Sequence, residues 1–149
     1  MPRIDGGAKL HARLDEIARK LQHGGTVKVG FLEGATYPDG TRVAMVAAIQ
    51  DFGAPAAGIP PRPFFRNMVR EKSPGWPAAL RALLKSNDYD AERALDLAGE
   101  GIAGQLRQSI VDTNDPPLAP STIKRKGFAT PLIDTGHMLA SVDHEVDMT

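Results

Sequence analysis

Apolar residues recur along this chain first at helical spacing, then in alternation, then at helical spacing again, and that order outlines a fold. Leu10, Leu14, Ile17 and Leu21 fall on one face of a helix predicted over 8–22. Asp15 with Arg19 and Glu16 with Lys20 stand at i, i+4 on its other side. His23-Gly24-Gly25 ends it, because glycine accepts the left-handed conformation that terminates helices. Val27, Val29 and Phe31 then alternate to one side of a strand over 26–32. After the turn signal Pro38-Asp39-Gly40 comes a helix over 42–52, with Asp39 or Thr41 as its cap and Gly53 as its stop. Its apolar residues Val43, Met45, Val46, Ala47, Ala48 and Ile49 nearly encircle the axis, so deep burial is expected.

The second half begins with a loop over 54–63 that holds Pro55, Pro60, Pro61 and Pro63, and short helices are expected over 64–71 and 76–85. The longest helix is predicted over 89–111, with Asp88 as N-cap and Leu95, Ala98, Ile102, Leu106 and Ile110 as its apolar stripe. Gly99, Gly101 and Gly104 lie within it, each costing up to about 1 kcal/mol against alanine. They either admit another backbone closely or make a weak, bent helix. Asn114-Asp115-Pro116-Pro117 breaks the chain, and Pro120 suits the first turn of a short helix ending at Gly127. Asp134-Thr135-Gly136 reads as a cap and tight turn before one helical turn and a last strand over 141–147. There Val142 and Val146 turn inward and Asp143, Glu145 and Asp147 face water, while His144 interrupts the apolar alternation. The pattern predicts a single α+β domain over 1–149, a short, mainly antiparallel sheet covered by helices. Two long loops, 33–40 and 54–63, are expected to order on contact with a partner.

A length of 149 residues suits one domain of ordinary size. Cysteine is absent, which excludes disulfides, thiolate nucleophiles and thiolate metal sites. No run approaches the roughly 18 apolar residues of a membrane span, and the first residues lack the apolar core of a signal peptide, so a soluble, unexported protein is expected. Net charge is zero but unevenly placed: 11 Lys/Arg against 7 Asp/Glu in residues 1–75, and 7 against 11 in residues 76–149. Complementary halves suit stacking against copies of the same chain better than a duplex-binding surface, which needs one basic face.

Catalytic patterns come up short. His11, His23, His137 and His144 are scattered outside any metal-ligand spacing. Gly30-Phe31-Leu32-Glu33-Gly34 follows a strand but lacks the Lys and Ser/Thr of a phosphate loop. None of Ser73, Ser86, Ser109, Ser121 and Ser141 stands in a nucleophile elbow. Asp88, Asp90, Glu92, Asp96 and Glu100 gather in the N-terminal half of the long helix, where they complement its dipole. Lys124-Arg125-Lys126, the one compact basic cluster, falls in a last helical turn that favours cations. These readings predict no catalytic residue, no metal and no cofactor.

Two segments carry a likeness. One is Ile49-Gln50-Asp51-Phe52-Gly53 followed by Ile59-Pro60-Pro61-Arg62-Pro63-Phe64-Phe65-Arg66; the other is Pro116-Pro117-Leu118-Ala119-Pro120-Ser121-Thr122-Ile123 followed by Pro131-Leu132-Ile133-Asp134-Thr135-Gly136 and Leu139-Ala140-Ser141-Val142. In this order, after the strand Val27-Lys28-Val29-Gly30, they resemble the tail-completion and neck proteins of lambda-like and Mu-like tailed phages, a family of head-tail joining, or virion-morphogenesis, proteins. The resemblance spans about residues 26–147. The family often has Glu at the place of Asp51, which keeps the charge, and Ser at the place of Ala119, whose loss removes a helix cap of around 1 kcal/mol.

The resemblance implies a structural subunit without catalysis that forms a ring, six copies being the expected number, in the neck of the virion. Its implied partners are copies of itself, a head-side connector or stopper, a tail-side terminator or tail tube, and the passing genomic DNA, which it does not bind specifically; it would assemble in the host cytoplasm. A minor tail or tail-terminator protein is the nearest alternative. A small phage-encoded enzyme and a DNA-packaging accessory are alternatives of other kinds. The residues add their own reading. Arg62, held between Pro61 and Pro63 and followed by Phe64, Phe65 and Arg66, reads as a pre-ordered interface anchor. Asp143, Glu145 and Asp147 are the expected channel-facing residues, since an acidic wall lets DNA slide where a basic one would hold it.

Overall fold

Two strands far apart in sequence make the sheet. In a computed structural model, which describes residues 6–113 and 136–149, β1 (Gly25–Phe31) pairs antiparallel with β2 (Val142–Met148). The register sets Val27 opposite Val146, Val29 opposite His144 and Phe31 opposite Val142. Side chains of paired residues share a face, so these six point the same way while Lys28, Asp143, Glu145 and Asp147 point to the other. The alternation read from the sequence thus holds for β1 and for the acidic edge of β2. His144, however, sits on the packed face, with its side chain 18% exposed.

That face is covered by the long helix α5 (Ala91–Asp112). Ahead of it come α1 (Gly7–Lys20), α2 (Val43–Phe52), α3 (Phe64–Lys72) and α4 (Trp76–Ser86), and after it the single turn α6 (His137–Ala140). The core joins Val43, Ala47, Phe64, Met68, Ala103, Leu106, Ile110, Met138 and Val142, drawn from α2, α3, α5, α6 and β2. Phe31 meets Phe64 edge-on with centroids 6.3 Å apart. The fold is the expected α+β arrangement, a two-stranded antiparallel sheet under helices.

Several details depart from the sequence reading. The cap of α5 is Asp90, whose carboxylate accepts the Arg93 N–H at 3.0 Å, and not Asp88. The buried stripe of α5 runs through Ala94, Gly99, Ala103, Leu106 and Ile110, with Leu95, Ala98 and Ile102 at its margins. Gly99 admits a close neighbour, though side chains and not the backbone that the sequence suggested: a Cβ there would stand 2.5 Å from His144 Cδ2 and 2.7 Å from Val27 Cγ2. It is the close approach that seats the sheet on the helix. Gly101 and Gly104 face open space, so that account does not extend to them.

The helix α2 is buried along one side only, at Val43, Ala47 and Asp51, while Met45 is 54% and Phe52 64% exposed. The loops expected to order on contact already carry their own hydrogen bonds. Tyr37 N donates to Thr41 O at 2.8 Å and Ala54 N to Ile59 O at 2.8 Å. The segments predicted over 116–135, including the cluster Lys124-Arg125-Lys126 and the cap Asp134-Thr135, lie outside the described residues.

Candidate interface at the joint of two helices

The first of the two motif segments builds the joint between α2 and α3. Gly53 ends α2 with φ 78°, and a Cβ on it would meet Pro61 N at 2.8 Å and Ile59 O at 2.9 Å. Glycine is therefore required twice over, for its left-handed backbone and for the returning loop. That loop comes back along α2, and Arg62 N donates to Gln50 O at 2.8 Å.

The helix α3 starts after Pro63, a residue with no side-chain group to cap it. Asp51 supplies the cap from the neighbouring helix. Its Oδ1 accepts from Phe65 N at 2.9 Å and Arg66 N at 3.3 Å, and Oδ2 accepts from Arg66 Nε at 2.7 Å. Arg66 Nη2 completes the joint by donating to the backbone oxygen of Asp51 at 2.8 Å. A carboxylate 3% exposed is stable here because backbone donors, a cation and the positive end of a helix surround it. Ser109 Oγ, from α5, donates to Phe64 O at 2.6 Å and locks the joint onto the long helix.

This joint redistributes the five residues expected at an interface. Arg62 is 7% exposed, and burial lowers its pKa from the ordinary arginine value; it is not a presented anchor. Phe64 is fully buried in the core, and Pro63 and Phe65 are half-buried. The arginine that reaches the surface is Arg66, half-exposed, with its guanidinium carbon 4.4 Å from the centroid of the Phe52 ring. Sequence reasoning fixed on the arginine between prolines and missed Phe52 and Asp51. The signal for Asp51 was its place before Gly53, one residue from the end of a helix that faces another helix start.

Between α2 and α3 lies a groove of about 410 Å3 lined by Phe31, Ala44, Ala48, Phe52 and Phe65, with Arg66 at its edge. Its walls are mostly apolar and aromatic, a composition that interface centres share. Asp143, Glu145 and Asp147 stand exposed on the outer face of β2, and Lys28 Nζ reaches Glu145 at 3.2 Å.

Other polar groups are engaged in structure. His144 Nε2 lies 2.8 Å from Asp96 Oδ1, and the His137 ring stacks on Tyr37 with centroids 4.8 Å apart. Asp88 bridges Arg13 and Lys20 of α1, both at 2.6 Å, and these two cations lower its pKa to about 2. A hollow of about 670 Å3 beside it is lined by Lys20, His23 and Tyr89 among others. Among the described residues no group of three or more His, Asp or Glu could hold a metal ion, and no helix is long and apolar enough to cross a membrane. No protein-family model matches the chain, and neither the curated proteins nor the solved structures include a significant match.

Proposed function

We propose that this chain is a non-enzymatic structural subunit of a tailed phage particle, forming a ring with copies of itself in the neck and joining the DNA-filled head to the tail. The observation that carries the reading is the joint of α2 and α3. The motif by which the sequence resembles the neck family folds into a rigid corner whose outer surface is apolar. Phe52 is 64% exposed there, beside an arginine already held in place by Asp51, and Met45, two turns back along α2, is 54% exposed. Aromatic and methionine side chains with an ordered arginine are what protein interfaces concentrate, and their pre-ordering lowers the entropy lost on docking.

The expected neighbours are the head-side connector or stopper and the tail-side terminator or tail tube. In this reading the outer face of β2, with Asp143, Glu145 and Asp147, lines the channel, where like charge keeps passing DNA from adhering. Electron microscopy of particles assembled without the chain tests the role. Full heads and finished tails left unjoined are the expected result; intact infectious particles would overturn it.

A further inference from the structure

No residue of α1 is buried, and only Arg13, Glu16 and Ile17 are half-buried. Its polar attachments converge on one carboxylate. Arg13 Nη2 donates to Asp88 Oδ1 at 2.6 Å, while Lys20 Nζ donates to Asp88 Oδ2 at 2.6 Å and to the Asp88 backbone oxygen at 3.0 Å. The Arg13 guanidinium also lies 5.8 Å from the centroid of the Tyr89 ring. Asp88 and Tyr89 stand at φ 54° and 59°, a left-handed conformation uncommon for residues with side chains. Such strain persists only where the surroundings enforce it. Here Tyr89 N donates to Leu84 O at 2.7 Å and Asp90 N to Asn87 O at 3.1 Å. The body thus holds the carboxylate out to α1 in a fixed position.

On its own, α1 is a poor helix. It has 14 residues, and isolated helices shorter than about 12–15 residues are marginal in water. Gly6 precedes it without a side-chain cap, and no acid stands in its first turn. Its link to the body is short and open. Gly24 O accepts from Thr149 N at 3.1 Å, and a Cβ on Gly25 would stand 2.6 Å from Met148 Sδ, so the body is fixed from Gly24 onward. Between that point and Lys20 stand only Leu21, Gln22 and His23, all exposed.

We infer that Asp88 is an ionic latch, and that docking and folding of α1 are one event: on the body the segment is a helix, and with the latch screened it leaves at residues 21–23 and unwinds. The inference stands apart from the neck reading. Exposed ion pairs are individually weak and are screened by salt, so the docked and released forms lie close in energy. Glu16 narrows the gap further. It already pairs with Arg13 at 2.9 Å and with Lys20 at 3.4 Å, so both cations have an alternative partner within α1 when Asp88 lets go. Release also opens the hollow of about 670 Å3, because Lys20 and His23 form part of its wall.

The chain has no cysteine, so a pair of introduced thiols can carry spin labels without background. Ala12 on α1 and Ala79 on α4 are both exposed, and Ala12→Cys/Ala79→Cys gives the pair. Label distances are measured by pulsed electron resonance at about 0.01 M salt, where charges are felt over roughly 30 Å, and at about 1 M, where they reach roughly 3 Å. The expected result is one short, narrow distance at low salt and a longer, broad one at high salt, with far-ultraviolet dichroism losing helix at the same time. Asp88→Asn, which tolerates the left-handed backbone and removes the charge, is expected to give the long distance at both salt concentrations. Arg19→Gln, which removes an exposed charge that does not touch Asp88, is expected to behave as the unaltered pair does. A short distance that persists at high salt, or in Asp88→Asn, would overturn the latch. A long distance with no loss of helix would overturn the coupling of docking to folding.

Discussion

The helices α1 and α5 carry the same kind of apolar stripe and end in opposite situations. The helical spacing of Leu95, Ile102, Leu106 and Ile110 that marks α5 as a core helix has its like in Leu10, Leu14, Ile17 and Leu21 of the α1 region. Yet α5 buries Leu106 and Ile110 completely, while α1 has no buried residue. What differs is the surface that each helix meets. The sheet offers α5 a row of apolar side chains, and Gly99 lets the two come close. The body offers α1 chiefly the Asp88 carboxylate and the Tyr89 ring, so the helix attaches by Arg13 and Lys20 and Leu10, Leu14 and Leu21 are left exposed. An amphipathic period states that a face exists; what covers it is a separate fact.

Truncations are the strongest way to break this comparison. Leu106→Ala in α5 is expected to cost about 2–5 kcal/mol, because it removes a fully buried side chain from a packed core. Leu14→Gln in α1 is expected to change stability by less than about 0.5 kcal/mol, as an exposed substitution. Denaturant unfolding of the two variants reads the difference. Equal losses would mean that α1 is packed in solution and that its stripe is not available to a partner.

The glycines sharpen the same contrast within α5. Gly99→Ala is expected to destabilise by about 1–3 kcal/mol, since the new Cβ meets the stiff Val27 side chain and a His144 ring held by Asp96. Gly101→Ala meets nothing, and should stabilise by up to about 1 kcal/mol through helix propensity. Thermal unfolding measures both. A neutral Gly99→Ala would show that the sheet does not rest on the helix at that point.

The smallest effect concerns the tether of α1. Lys20 first, and then Arg13, lower the Asp88 pKa from 3.8 to about 2. A carboxylate whose pKa is depressed in the folded state stabilises it above the unfolded pKa, and that contribution fades as pH falls between about 4 and 2. The pairs are exposed, so salt weakens them as well. Protection factors of the α1 amides, with exchange rates corrected for their intrinsic pH dependence, should fall as pH drops through that window, and at neutral pH in high salt, with those of α5 unchanged. Rates in α1 that ignore both salt and pH would mean that contacts other than Asp88 hold it.

Much of this fold was legible in the residues. The helices among the described residues, both strands, the stop at Gly53 and the outward acidic row of β2 follow from local rules of period, capping and alternation, which act within a few residues. The errors fall where a residue's role is assigned by something distant. Asp88 was read as the cap of the helix beside it, and instead holds α1 from 68 residues further along the chain. Arg62 was read as exposed because prolines flank it, but flanking residues set its backbone and not its burial.

The candidate interface divides in the same way. Period and turn chemistry determined that one helix stops at Gly53 and another starts near Phe64 after a proline-rich loop; that the two meet at a corner was decided by the tertiary structure. Which of those side chains is core and which is surface was decided only when α5 packed against one side of the corner. Phe64 then turned inward under Ser109 and Phe52 turned out beneath Arg66. Neighbouring residues in a helix point about 100° apart, and the sequence carries that angle faithfully. The direction of the core is set by the sum of all the packed faces, and no single segment contains it.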